Sequence, residues 1–357
     1  MKFPIITFLK KKRVAFKMIR KATANFHKFD SDRDLSREQV KEIRAYFKDR
    51  LGVRVPIIWH RYYYRRTGKY SPEYIPSSLY RIELLGRFNQ MQTECAYRDK
   101  NLTGLIIKGI SQPETIAKNM NGYYYINDSA VSKEKVLHEC SNLDDVIIKP
   151  SLFFYGIGVR RFSVHNGITS DGESIGHILD NYKKDFIIQR AVHQHDALNT
   201  LNPTSVNTIR ILTYRSGMDV LILYTVLRIG RIGRVTDNET AGGMSVRINS
   251  DGTLAKYAYS KPGEDMIERT DTGVILEGYR IPSFENAIKA VKSAHLELPY
   301  YDLIGWDIAI DTAGEPVLIE WNTEPDLSQS ANEGPAFGEY TDRILKEIRH
   351  KPNTLYR

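Results

Sequence analysis

The chain has 357 residues, enough for two or three domains with substantial cores, and its 41% hydrophobic and 26% charged content is ordinary for a soluble globular protein. No run approaches the roughly 20 apolar residues that span a bilayer. The net charge of +8 is local: residues 1–28 carry nine basic side chains and no acid, leaving the other 329 at about −1, so a pI near 9.2 argues only weakly for nucleic acid.

Residues 1–28 read as an imperfect basic amphipathic helix. Ile5, Leu9, Phe16, Ile19 and Phe26 share a stripe broken by Lys12 and Thr23, with Lys10, Arg13, Lys17, Arg20 and Lys21 largely elsewhere. Such a helix suits an anionic membrane surface or an acidic partner. Packing of the stripe onto the protein's own body is the stronger expectation, because most amphipathic helices face a core. The apolar run Phe3 to Leu9 is short, is followed at once by Lys10, Lys11, Lys12 and Arg13, and lacks the small-residue site of a signal peptide. Cys95 and Cys140 are too few for a disulfide framework, and no Cys/His cluster has zinc spacing. The expected compartment is therefore the cytoplasm, with peripheral contact at the inner face of the membrane open to the basic helix.

Residues 1 to about 90 read as helical. Ser36 and Gln39 make a capping box, followed at helical spacing by Val40, Ile43, Phe47 and Leu51. The tract Tyr62, Tyr63, Tyr64, Arg65, Arg66 has no clear period; it suits stacking on a sugar or base, or, more commonly, an inter-helix seam. A further helix starts near Ser77 with Tyr80, Leu84, Leu85 and Phe88 as its apolar face. After residue 140 the texture becomes β. DDVIIKPS, GVRRFSV, FIIQRAV, SVNTIRILTY and DVLILYTVLRI are short β-branched runs between Gly, Asn, Asp and Ser. A hairpin turns at Ser250-Asp251-Gly252, and a helix over 283–297 is expected to be capped by Ser283, with Phe284, Ile288 and Val291 inward. The second half is α+β with largely antiparallel pairing.

The chemistry concentrates in five places. Lys149 ends an apolar strand, where an ammonium is costly unless it meets an anion. Gly156 and Gly158 follow, allowing backbone N–H groups to close over phosphates. FIIQRAV ends in polar residues, suited to reading an adenine edge with backbone groups from Gln189 to Val192. Arg210 and Arg228 lie on successive β segments, either as a clamp on a transferring phosphoryl group or as sheet-face ion pairs. Last comes LIGWDIAIDTAGEPVLIEWN, residues 303–322. With a four-residue loop at Thr312–Glu315, Asp307 falls opposite Glu320 and Asn322 projects to the same side. Facing carboxylates repel; a divalent metal that prefers oxygen ligands reverses that sign, and this points to Mg²⁺ with nucleotide phosphates.

These residues, in this order, resemble the ATP-grasp superfamily, and most nearly its sugar-transfer-associated group. The matching stretches are YIPSSLYRIELLGRFN, DKNLTGLI, VIIKPS with its glycine loop, PTSVNTIRILTYR, LRIGRIGRVTDNETAGGMSVRI and GWDIAI…VLIEWN, over about residues 75–330. The resemblance implies an α+β fold of two lobes clasping ATP, behind a mainly helical N-terminal region. On this reading residues 1–90 form that region, 91–190 the first lobe and 191–357 the second. It implies phosphate contacts from Lys100 and Lys149, metal ligation by Asp307, Glu320 and Asn322, and an adenine hinge at Gln189, Arg190, Ala191 and Val192. A ribose contact follows at His195 or Asp196. Arg190 stands where many relatives carry an acid. Asp237, Asn238, Gly242 and Gly243 would line a loop near the acceptor.

The implied activity joins a carboxylate to an amine through an acyl phosphate, with ATP and Mg²⁺ as cofactors, on a sugar acid or amino acid of surface-polysaccharide synthesis. The partners expected are small-molecule carboxylates and amines, not nucleic acid. Cations and metal can spread γ-phosphoryl charge and a glycine loop can exclude water, but no catalytic base is evident. Two alternatives stay open: a kinase acting on a sugar-type hydroxyl, and a non-catalytic scaffold held to membrane or nucleic acid by the basic N-terminus. The facing acids speak against the scaffold.

Overall fold

The computed structural model describes residues 3–153, 156–234, 237, 242–262, 264, 266–328 and 334–356. Three helices open the chain: α1 (Phe3–Phe26), α2 (Arg37–Leu51) and α3 (Ile58–Thr67). The Ser36 hydroxyl accepts from the Gln39 backbone N–H at 3.2 Å while Gln39 Oε1 accepts from the Ser36 N–H at 2.8 Å, so the capping box forms. The aromatic tract forms the inter-helix seam: Tyr62 and Tyr63 are buried with Trp59, Tyr74, Ala22 and Phe26. The α1 stripe divides. Ile19 and Phe26 pack into that seam, whereas Leu9 and Phe16 are 59% and 67% exposed. The helix over 77–88 contains a π turn at Tyr80–Leu84, and Tyr80, Leu84, Leu85 and Phe88 are all buried.

Two antiparallel sheets follow. The first holds β1 (Thr115–Met120), β2 (Tyr123–Ile126), β3 (Ser129–Val131), β4 (Leu143–Pro150), β5 (Arg160–His165), β6 (Ile168–Thr169) and β7 (Phe186–Arg190), in the order β3-β2-β1-β7-β4-β5-β6. The second holds β8 (Thr208–Ser216), β9 (Asp219–Ile229), β10 (Met244–Ile248), β11 (Leu254–Tyr259), β12 (Leu303–Ile310) and β13 (Pro316–Asn322), ordered β11-β10-β9-β8-β12-β13. The β10–β11 hairpin turns where expected, with Gly252 at φ +82°. The helix Phe284–Leu296 starts where expected, but the Ser283 side chain accepts no capping hydrogen bond: it sits at φ +50°, a left-handed conformation that keeps its hydroxyl off the helix N–H groups.

The period of two along each strand decides which side chains reach the cleft. On β8 and β12, Ile209, Ile211, Ile304, Trp306 and Ile308 face a core that includes the helix Phe284–Leu296, together with Ile107 and Ile110 from the segment before β1. Thr208, Arg210 and Asp307 alternate with them and line the cleft. Further along that face, Leu212, Tyr214 and Leu303 are covered by α2, the helix over 77–88 and the helix Thr341–Ile348. In the first sheet, Val146, Ile148, Phe186 and Ile188 face the core, leaving Ile147, Lys149 and Gln189 on the cleft side. The cleft between the sheets encloses about 360 Å³.

Candidate active site

The β12–β13 hairpin places Asp307 opposite Glu320, by a different route from the one expected. Ile310, not Asp311, faces Pro316; Asp311 Oδ1 accepts N–H groups from Ala313 and Glu315 and extends the loop by one residue. A bulge at Ile319 then restores the register and turns Ile319 and Glu320 successively into the cleft. The two carboxylates are not left to repel. Asp307, 1% exposed, receives both faces of the Arg210 fork at 2.5 and 2.9 Å and has Arg228 at 3.4 Å. Burial alone would raise the Asp307 carboxyl; Arg210 and Arg228 outweigh it and hold it below its ordinary value. Glu320 pairs with Lys100 at 3.1 Å. Asn322 turns its amide nitrogen toward Asp307 at 3.5 Å.

Arg228 also meets Asp237 at 3.2 Å and Thr208 at 3.0 Å, and the Thr208 hydroxyl donates to Asp237. Burial raises the Asp237 carboxyl despite the neighbouring Arg228. Gly305, cross-strand from Asn322, keeps this corner closed: a Cβ there would lie 2.9 Å from Pro325 and 3.5 Å from Arg210.

Across the cleft, Lys149 ends β4. No described residue forms an ion pair or a side-chain hydrogen bond with its ammonium, and burial first, then Lys100, lower its pKa to about 8. Lys100 bridges the two sides, donating to the Phe153 carbonyl at 2.7 Å while paired to Glu320. Gly156 and Gly158 adopt φ of +69° and +73°, and a Cβ on Gly158 would approach Pro150 to 3.0 Å, so this turn requires glycine. Phe154 and Tyr155 lie outside the described residues.

Gln189, Arg190 and Val192 line the cleft; Ala191 is buried. Because β7 is flanked by β1 and β4, the Arg190 and Ala191 N–H groups already donate to Glu114 and Asp145, both at 2.9 Å. Arg190 answers the acid of Glu114 at 2.8 Å. His195 and Asp196 are not among the lining residues. His195 Nδ1 accepts from the Ala197 N–H and caps the helix Asp196–Leu201, with Asp196 exposed in its first turn. Gly242 and Gly243 also lie away from the lining, their carbonyls taken by Arg231 and Ser260, and Asn238 is outside the described residues.

Sequence reasoning overlooked one end of the cleft. Arg81 pairs with Glu324 at 2.7 Å, Arg98 approaches Glu94 at 3.5 Å, and Thr323 and Asp326 complete that end. An arginine between Tyr80 and Ile82 was the available signal; the π turn that redirects this stretch has no sequence signature. Among the described residues no group of three or more His, Cys, Asp or Glu is arranged to hold a metal. Two carboxylates and an amide on one hairpin face fit a hard cation that takes its other ligands from phosphate and water.

The sequence matches the sugar-transfer associated ATP-grasp family over residues 79–342. The coordinates are similar to D-alanine–D-alanine ligase from Bacillus anthracis complexed with ATP, at TM-score 0.40 and 15% identity over 74% of this chain and 68% of that one. The Helicobacter pylori D-alanine–D-alanine ligase matches at TM-score 0.39 and 14% identity, over 74% and 62%. The ATP-grasp ligase PsnB complexed with minimal precursor, Mg and ADP matches at TM-score 0.39 and 11% identity, over 73% and 62%. This chain thus spans less than two thirds of the last two. No curated protein matches the sequence.

Proposed function

Because the chain belongs to the sugar-transfer-associated ATP-grasp family, we propose that it is an ATP-dependent carboxylate–amine ligase that forms an amide through an acyl phosphate, releasing ADP and phosphate. Its two sheets about one cleft, with a helical N-terminal region, are the α+β ATP-grasp fold of that family. The observation that carries the proposal is Lys149: a half-buried cation at the end of β4, unpaired among the described residues and beside a second lysine, facing the hairpin acids. Protein interiors keep such a charge where an anion is to arrive.

On this reading Lys100, Lys149, Gly156 and Gly158 receive the phosphates, and Gln189 to Val192 meet the adenine. Asp196 and His195 lie outside the lining, and His195 is spent on its helix cap. Asp307, Glu320 and Asn322 would hold Mg²⁺, which supplies charge neutralisation between phosphate oxygens. Arg210 and Arg228 meet the transferring phosphoryl group. Asp237 stands on the acceptor side, with the segment of Gly242 and Gly243 leading to it. We assign as substrates a sugar acid or small amino acid and an amine, in surface-polysaccharide synthesis, and the cytoplasm as the compartment. Residues 1–28 are the contact with the inner membrane face or a protein, and the division 1–90, 91–190 and 191–357 is our working description of the parts.

An ATP-turnover screen over paired carboxylates and amines, amino sugars included, tests this. Free phosphate released in step with amine consumption is the expected result. ADP formation without free phosphate, accompanied by a phosphorylated hydroxyl, assigns a kinase instead. Absence of Mg–ATP binding by calorimetry overturns both.

A further inference from the structure

The outer face of α1 is built for a surface that the described residues do not supply. At about 100° per residue, Leu9 and Phe16 lie within about 20° of each other and roughly a third of a turn from the seam of Ala22 and Phe26. Both are mostly exposed. Arg13, Lys17 and Arg20 flank them, with Lys10 and Lys21 beyond, and all five are exposed. None of these five forms an ion pair or side-chain hydrogen bond with a described residue. Residues 1–28 contain no acid to balance them.

Cations alone would suit any polyanion. A polyanionic backbone removes neither the exposed phenylalanine nor the leucine from water, and a nucleic-acid base that stacks on Phe16 still leaves Leu9 exposed. A bilayer does, taking the apolar pair below its headgroups while the long basic stems reach back to the phosphates. We infer that α1 is an interfacial helix that seats the protein on an anionic lipid bilayer through Leu9 and Phe16, with Arg13, Lys17 and Arg20 at the headgroup level. The mode is lying in the interface, not crossing it: no helix among the described residues is long and apolar enough to cross a membrane.

The docking bears on the cleft. Lys11 on α1 pairs with Glu83 at 3.0 Å, on the same π turn that delivers Arg81 to the cleft and to Glu324. The lipid contact and the far end of the cleft are thus joined through one helical turn, which suits an acceptor anchored in that bilayer. This consequence rests on the ligase reading; the docking does not.

Co-sedimentation of the full chain with phosphatidylcholine vesicles, with and without phosphatidylglycerol, tests the inference. Binding is expected only with phosphatidylglycerol. Leu9→Ser with Phe16→Ser, and separately Arg13→Gln with Lys17→Gln and Arg20→Gln, should each lower partitioning about tenfold or more. Thermal melts and ATP-analogue affinity of these variants without vesicles should stay as in wild type; a wild-type chain that fails to bind the analogue sinks the ligase reading and leaves the docking standing. Phe16→Trp gives an independent readout, since brominated lipid should quench the new indole while buried Trp59, Trp306 and Trp321 stay unquenched. No binding to phosphatidylglycerol vesicles, undiminished binding by the Leu9/Phe16 variant, or an unquenched Trp at position 16 overturns the proposal; the second outcome leaves only a polyanion site of the kind a nucleic acid fills.

Discussion

In the cleft, Arg210, Arg228, Asp237 and Asp307 are buried within reach of one another, each charge answered by an opposite one. On α1, Lys10, Arg13, Lys17, Arg20 and Lys21 stand in solvent with no acid nearby in sequence. The two regions make different things informative. Burial makes an unpaired charge expensive, so in the cleft the residue that stands out is Lys149. Exposure makes an unpaired charge cheap, so on α1 the basic residues mean little alone, and the anomaly is exposed Phe16.

The largest effect expected on this view is at Arg210. Arg210→Met leaves Asp307 buried with the longer Arg228 contact and the 3.5 Å approach of Asn322, and should cost about 3 kcal/mol or more in urea unfolding. A loss below about 1 kcal/mol would erase the energetic difference between the regions. Next comes Glu320→Gln, which keeps size and removes one charge from the hairpin. Single-turnover rates should fall about a hundredfold or more. Stability should move by no more than about 1 kcal/mol, because the lost Lys100–Glu320 pair is only partly buried. Wild-type turnover in this variant would remove Glu320 from the metal set.

Much of the cleft was legible because it is local. Asp307, Glu320 and Asn322 lie within one hairpin, and period two carries them to one face whatever the rest of the chain does. Even so, the facing of Asp307 and Glu320 came from a four-residue loop, when the loop is one residue longer and a bulge at Ile319 compensates. Sheet-face ion pairs were one of two readings for Arg210 and Arg228, but their partners were not legible, since β8 and β12 are neighbours across 97 residues and only that pairing sets Arg210 against Asp307. Nor was the Arg81 end, which depends on a π turn, or the role of His195, whose ring is spent on a helix cap. For α1 the stripe was right in content but divided in fate: where along a helix the body of the protein ends is a tertiary fact.

Lys149 allows the cleft to be read through pH. Its folded pKa, about 8 against an ordinary 10.5, lies below its unfolded value, so folding favours the neutral amine. The group therefore weighs against the apo fold below about pH 8, and that burden lifts as pH rises from about 8 to 10.5. Phosphate should draw the proton back, so ATP-analogue affinity falls above pH 8 and binding there takes up a proton. Calorimetry in buffers of different ionisation enthalpy measures that uptake. Lys149→Met should abolish it, weaken nucleotide binding about tenfold or more and stabilise the apo protein by about 1 kcal/mol. Apo stability that falls instead would mean that Lys149 has a protein partner.

The smallest effect belongs to α1, and its sign separates the two regions. Arg13, Lys17 and Lys21 are spaced four apart, so each neighbouring pair repels along one side of the helix. Lys17→Glu turns both repulsions into attractions, the better oriented being the one toward Lys21, where the acid lies N-terminal to the base. Folding stability should rise by about 0.5 kcal/mol in urea unfolding at low salt, and the gain should vanish near ~1 M salt, where exposed charges are screened within a few ångströms. Vesicle binding should weaken in the same variant, since a cation at the headgroup level has become an anion. Reversing a charge among Arg210, Arg228, Asp237 and Asp307 can have no such outcome, because each has a buried partner that would be left unanswered. If Lys17→Glu destabilises the protein instead, Lys17 holds a contact within the fold, and α1 belongs with the cleft rather than against it.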